Sequence, residues 1–202
     1  MGNSQPSVIV LAGPNGAGKS TAAPALLHGT LGVTEFVNAD VIAQGLSAFD
    51  PASVAMTAGR IMLSRLKELA EQRVSFSFET TLASRTFAPW LRGLIAAGYS
   101  FRLVFLWLPS ADVAVARVAE RVKMGGHGVP EETIRRRYGK GIANFFTLYR
   151  PLVKSWHVYD NSHASGPRAI AYGDATSVVV SDPVVWKLID RGQIEADRDK
   201  GH

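Results

Sequence analysis

Lys19 stands near the end of Gly13-Pro14-Asn15-Gly16-Ala17-Gly18-Lys19-Ser20, with Thr21 after it, and this run fits the pattern G-x-x-x-x-G-K-[ST] without a mismatch. The chemistry of that spacing is phosphate binding. The glycines let successive backbone N–H groups turn inward as a concave anion site, and the helix that follows adds the positive end of its dipole. The Lys19 ammonium can then reach the β- and γ-phosphates of a nucleoside triphosphate, and the Ser20 hydroxyl can ligate Mg²⁺. The competing reading is a glycine-rich turn with an incidental lysine. The flanks argue against it, because Val8-Ile9-Val10-Leu11-Ala12 reads as a buried strand leading in and Ser20 to Leu27 as a helix leading out.

Three further groups of residues extend phosphate binding to phosphoryl transfer. Asn38-Ala39-Asp40 follows a strand candidate, and in an open α/β sheet the C-terminal strand ends face the ligand crevice. A carboxylate there can take the proton of an attacking hydroxyl and orient it toward the γ-phosphate. Asp40 can equally cap the helix that starts at Val41. Phe76-Ser77-Phe78-Glu79-Thr80-Thr81 is an apolar strand that ends in a carboxylate and two hydroxyls. Such groups can act on Mg²⁺ through water or bind the hydroxyls of an acceptor, and Glu79 is open to either role.

The third group is basic. Between Arg117 and Lys140 lie seven cationic residues (Arg117, Arg121, Lys123, Arg135, Arg136, Arg137, Lys140) against Glu120, Glu131 and Glu132. Arg117 and Arg121, four apart, share a helix face. Met124-Gly125-Gly126-His127-Gly128 breaks the helix, and Arg135-Arg136-Arg137 lies on the helix beyond. Two helices about a glycine hinge suit a lid spanning about 117–140 whose arginines clamp phosphate and neutralise transition-state charge. Arg117 is assigned to the nucleotide, and Arg121 and Arg136 to the transferring phosphate. His127 reads as a hinge residue or substrate contact rather than a catalyst.

To position these groups, strands are expected at Ser7–Ala12, Glu35–Asn38, Val74–Phe78, Phe101–Leu108 and His157–Asp160, alternating with helices. Asp50-Pro51 opens a helix whose apolar face is Val54, Ala58, Ile61, Met62, Leu66 and Leu69. Ser84 and Ser110 read as caps of two more, Gly98 as a stop, and Pro130-Glu131-Glu132 as the start of another. The alternation implies a three-layer α/β domain with a mostly parallel five-stranded sheet. Ile170–Tyr172 and Ser177–Val180 read as a separate terminal hairpin, and the tail from Lys187 as a short helix that frays.

The 202 residues suit one domain, and 47% hydrophobic with 19% charged residues is ordinary globular composition. With no cysteine, disulfide and thiolate chemistry are excluded. No signal peptide or bilayer-spanning run is visible, so a soluble cytoplasmic protein without a membrane partner is expected. The net charge of +5 is concentrated in the lid segment instead of spread over a face, which speaks against a nucleic-acid partner.

With these pieces in order, the chain resembles the zeta toxin family of P-loop kinases from the phosphate loop to about Ser162. The resemblance rests on residues 13–21, Asn38-Ala39-Asp40, Phe78-Glu79-Thr80-Thr81, the Arg121 to Pro130 stretch with Gly125-Gly126-His127, and Tyr159-Asp160-Asn161-Ser162. It implies a sheet order of 2-3-1-4-5, ATP with Mg²⁺, and transfer of the γ-phosphate to a hydroxyl, in the type members that of UDP-N-acetylglucosamine. It implies Asp40 as base, Lys19 and lid arginines on the phosphates, Glu79 with Thr81 at the acceptor, Asn161 and Ser162 near the nucleotide base, and a protein antitoxin as partner. A small-molecule kinase is therefore expected. A polynucleotide 5′-hydroxyl kinase and an NTP-driven switch are the alternatives, the switch having only Gln44 nearby to position a water.

Overall fold

The computed structural model describes residues 5–30 and 32–198. Its strands are β1 Ser7–Ala12, β2 Glu35–Val37, β3 Phe76–Thr80, β4 Ser100–Trp107, β5 Ser155–Asp160, β6 Arg168–Gly173 and β7 Val178–Val180. They form one sheet in the order β2-β3-β1-β4-β5-β6-β7. The pairs β2·β3, β3·β1, β1·β4 and β4·β5 are parallel, as the 2-3-1-4-5 order requires. The expected five strands become seven because the terminal hairpin does not stand apart. Strand β6 pairs antiparallel with β5 and continues the same sheet.

The central strand β1 is buried from Val8 to Ala12, as befits a strand with helices over both faces. One layer buries Met62, Leu66 and Leu69 of α3 (Ala55–Glu71) and Leu91 of α4 (Phe87–Ala96) against Phe76, Phe78 and Phe105. The other packs Ala17, Leu27, Ala114 and Val118 against Ile9, Leu11 and Leu106. Helix α3 begins at Ala55, four residues after the expected start. Asp50 does act as a cap, but of a turn, accepting from the Ser53 N–H at 3.2 Å. Helix α1 is short (Lys19–Ala23) and widens into a π-helical turn over Pro24–Thr30. Pro24 has no N–H for the regular ladder at that point.

Strand β3 runs two residues further than expected, and Glu79 and Thr80 sit in the ladder opposite Leu11 and Ala12. The carboxylate is thus placed by backbone pairing to the strand that enters the phosphate loop. The turn after β3 is held by α6 (Glu131–Asn144) and its π-helical continuation Phe145–Tyr149. Asn144 donates to the Leu82 carbonyl at 2.7 Å, and Tyr149, its hydroxyl pushed up to about 12 by burial, donates to Ser84 at 2.7 Å. This grip holds Leu82 at φ 57, a left-handed conformation costing on the order of 1–2 kcal/mol.

The tail is also better anchored than its charge pattern suggests. Helix α7 (Pro183–Arg198) buries Ile189, and Trp186 stacks on Trp156 with centroids 5.6 Å apart and an 11° tilt. The last residues of the expected fraying segment, 199–202, lie outside the described residues.

Helix α6 approaches the β3 turn so closely that a Cβ on Gly141 would come within 2.4 Å of the Thr81 carbonyl oxygen. Gly141→Ala is expected to lower the unfolding free energy by roughly 1–3 kcal/mol in urea denaturation, although alanine is the better helix former.

Candidate active site

The phosphate loop is shaped by close approach. Gly13 has φ 144, and a Cβ there would lie 2.2 Å from the Leu106 carbonyl oxygen. From this loop Lys19 points into an enclosed position, with only 5% of its surface exposed. Its ammonium donates to the carbonyls of Gly13 at 2.9 Å and Pro14 at 2.8 Å, and lies 3.5 Å from Glu79 Oε1. Burial pulls its pKa below the ordinary 10.5, while the carboxylates of Glu79 and Asp40 pull against the shift.

Glu79 anchors a second set of contacts. Ser20 Oγ donates to Glu79 Oε2 at 2.7 Å, and Asn38 Nδ2 donates to the same oxygen at 2.8 Å. Ser20 Oγ also accepts from Asn38 Nδ2 at 3.2 Å. These are hard oxygen donors of the kind Mg²⁺ takes, one carboxylate and one hydroxyl. Among the described residues no group of three or more acidic, His or Cys side chains could hold a metal by itself. The donor set fits a metal bound together with its nucleotide.

Asn38 also separates the two readings of Asp40. The N-cap of α2 (Ala39–Leu46) is Asn38, whose Oδ1 accepts from the Asp40 N–H at 2.8 Å. Asp40 is left free of capping, in the first turn of that helix. Its carboxylate, about half exposed, lies 3.4 Å from His127 Nε2.

Lys19, Asp40, Asn38, Glu79, Thr80 and Thr81 open onto one cleft of about 690 Å³, together with Asn15, Gly16, Gly18, Ser20 and Thr21 of the loop and Arg117, Arg121 and His127 of the lid segment. Pro14 and Ala17 serve the loop from behind through their carbonyls. Thr80 and Thr81 hydroxyls accept from the N–H groups of Leu82 and Ala83, which shapes the turn beneath the cleft.

The lid segment differs in detail from expectation. Helix α5 (Ala111–Lys123) and α6 are tied by Arg135, which lies 2.7 Å from Asp112 and 2.8 Å from Glu131. Arg136 is exposed and lies outside the cleft wall, where Arg137, one residue on, takes the place expected of it. Successive residues on a helix point about 100° apart, so the three could not share a face. Arg117 lines the cleft, but its guanidinium is committed to the carbonyls of Asn161 at 2.7 Å and Ser162 at 2.8 Å. Asn161 in turn donates to Ala17 at 2.7 Å. Together they brace the phosphate loop against the segment after β5.

Sequence reasoning placed Arg137 among the lid arginines without singling it out, and missed Phe87 and Met62 on the cleft wall and Gly141 and Asn144 behind it. Gly139 and Gly141 inside a helical pattern were the available signal, since interior glycine usually has a packing reason.

A family model described as an AAA domain matches residues 8–139, about two thirds of the chain. A Haemophilus influenzae protein of uncharacterized function is 26% identical over 134 residues, 66% of this chain and 94% of the relative. Among solved structures, a chain of the AvrRxo1-ORF1:AvrRxo1-ORF2 complex, crystallised with sulphate ions, superposes with a TM-score of 0.75 at 16% identity over 95% of this chain. This chain spans 65% of that relative's length. A structure of the same complex with ATP gives 0.73. A chain of the PezAT chromosomal toxin-antitoxin system of Streptococcus pneumoniae gives 0.63 at 12% identity, covering 100% of this chain and 90% of the other. The shared architecture is the P-loop kinase-like fold.

Because Lys19 has a lowered pKa, the unfolded chain holds more protons between that lowered value and 10.5, and stability contributed through this residue rises with pH across that window. Lys19→Met removes the increment. The pH dependence of the urea midpoint, measured from pH 8 upward without nucleotide, should therefore be flatter, or fall more, in the variant than in the parent.

Proposed function

This chain belongs to the AAA domain family AAA_33, and from that footing we propose that it is a kinase transferring the γ-phosphate of ATP to a hydroxyl group of a small molecule. One observation carries the reading: Asp40 and Lys19 face the same cleft, near enough for the carboxylate to act on the ammonium. A nucleotide-binding switch needs no such carboxylate. A kinase needs one beside the terminal phosphate.

In the proposed reaction the phosphate loop and Lys19 hold the β- and γ-phosphates. The acceptor oxygen attacks the γ-phosphorus while the bond to the ADP oxygen breaks, and the acceptor's proton passes to Asp40. Lys19 exchanges its own-loop carbonyls for phosphate oxygens, which lets a buried cation meet charge without first being stripped of water. Arg121 and Arg137 face the cleft from the lid, taken as about 117–140 of one kinase domain over 1–202, and neutralise the charge passing to ADP. Mg²⁺ would be held by Ser20 and by Glu79, directly or through water, and would supply charge neutralisation to the phosphates. Thr80, Thr81 and His127 lie toward the acceptor.

The zeta toxin resemblance makes UDP-sugars such as UDP-N-acetylglucosamine the first acceptors to test. It also makes a protein antitoxin the proposed partner, supported by the toxin-antitoxin system to which PezAT belongs. The test is a panel of hydroxyl acceptors with γ-labelled ATP. Asp40→Asn should lower transfer by about 10²–10⁴-fold with nucleotide affinity nearly unchanged. Unchanged transfer in that variant removes the base and leaves a nucleotide binder. Arg137→Ala should cost about 10²–10³-fold, whereas Arg136→Ala should stay within about threefold of the parent. The reverse ranking would move the phosphate contact back to Arg136.

A further inference from the structure

Asp40 is held from two directions. Its backbone N–H is bound by Asn38, whose amide reaches Ser20 and Glu79, so the main chain of Asp40 is fixed relative to the phosphate loop. Its side chain is approached from the lid segment, where His127 Nε2 lies 3.4 Å from Oδ2. His127 is the more enclosed partner, with 15% of its side chain exposed against 47% for Asp40.

The placement of His127 is itself prepared. Arg121 Nη2 donates to the His127 carbonyl at 2.9 Å, and the Gly126 N–H donates to the Arg121 carbonyl at 2.9 Å. A Cβ on Gly126 would meet Arg121 Cγ at 2.6 Å, so the loop lies flat on the arginine stem. Gly125, at φ 86, supplies the bend. Against the loop is a second cavity of about 350 Å³, lined by Gln44, Phe49 and Pro51 together with Gly125 to His127. The hinge therefore has open space beside it.

We propose that His127 is a positioning residue for Asp40, so that the base is aimed only when the lid hinge is seated. The inference rests on the reading of Asp40 as the base. A carboxylate only accepts, so the imidazole nitrogen facing it donates: Nε2 carries the hydrogen and holds Oδ2. The other oxygen, Oδ1, is then left to the acceptor hydroxyl. At 3.4 Å the contact is longer than a formed N–H···O bond, and a few tenths of an ångström of closure completes it. Arg121, which anchors the His127 carbonyl, also faces the cleft, so one residue links the phosphate to the aim of the base.

The test uses the full chain with water as the acceptor, read as phosphate released from ATP, and a fluorescent ATP analogue to follow nucleotide binding. His127→Ala should lower kcat about tenfold with nucleotide affinity within about twofold of the parent, and His127→Gln, which restores an N–H donor at similar reach, should recover most of the loss. In Asp40→Asn/His127→Ala the rate should match Asp40→Asn alone, because the histidine acts through the carboxylate. A double variant slower than Asp40→Asn by the full His127→Ala factor overturns the coupling and leaves Asp40 as the base. So does a His127→Ala protein as fast as the parent. An Asp40→Asn protein that turns over like the parent overturns the base reading and this inference with it.

Discussion

A lysine ammonium with almost no exposure is the constraint around which this protein is arranged. Burying such a charge costs several kcal/mol unless partners surround it. Here the partners are two carbonyls of its own loop and the carboxylate of Glu79. Their positions are not independent. The loop leaves the end of β1, Glu79 lies in the ladder opposite Leu11 of β1, and Ser20 and Asn38 fasten that carboxylate from either side. The same groups that satisfy the lysine in the free protein are those a nucleotide and its metal would take over. The site is thus polar, enclosed and already organised, the condition under which electrostatic stabilisation of developing charge is strongest.

Much of the remaining structure keeps that arrangement rigid from a distance. The turn after β3 contains a strained leucine at its bend, and α6 holds it through Asn144, Tyr149 and the backbone contact at Gly141. Helix α6 also carries Arg137, so the segment that supports the β3 turn supplies a cation to the cleft wall. Next to it, α7 lays Trp186 over Trp156 and Phe146 and closes the layer. On the opposite side of the loop, Arg117 and Asn161 fasten the end of β5 to the loop backbone.

The fold was legible wherever local pattern and local chemistry agree. Strand β1 declares itself by its unbroken apolar run, and the phosphate loop, the cap at Ser110 and the start of α6 declare themselves because the hydrogen bonds that define them close within a few residues. The end of β3 was misjudged because a polar Glu-Thr pair looks like the close of a strand, whereas pairing to β1 carries the strand onward. The hairpin looked separate because nothing in Ile170–Val180 says which strand it meets. The tail looked loose because its alternating charges mask an apolar stripe of Val185, Trp186 and Ile189.

By itself the sequence determined that a triphosphate-binding loop lies between a buried strand and a helix, that a carboxylate follows each of two neighbouring strands, and that basic residues gather on two helices about a glycine hinge. Only the tertiary structure decided that Asn38 caps the helix and frees Asp40, that Arg137 rather than Arg136 reaches the cleft, that Arg117 braces a loop, and that His127 meets Asp40. The physical reason is range. A motif is set by bonds between residues close in the chain, whereas the direction of a side chain and the partner it finds are set by which distant backbone is packed beside it.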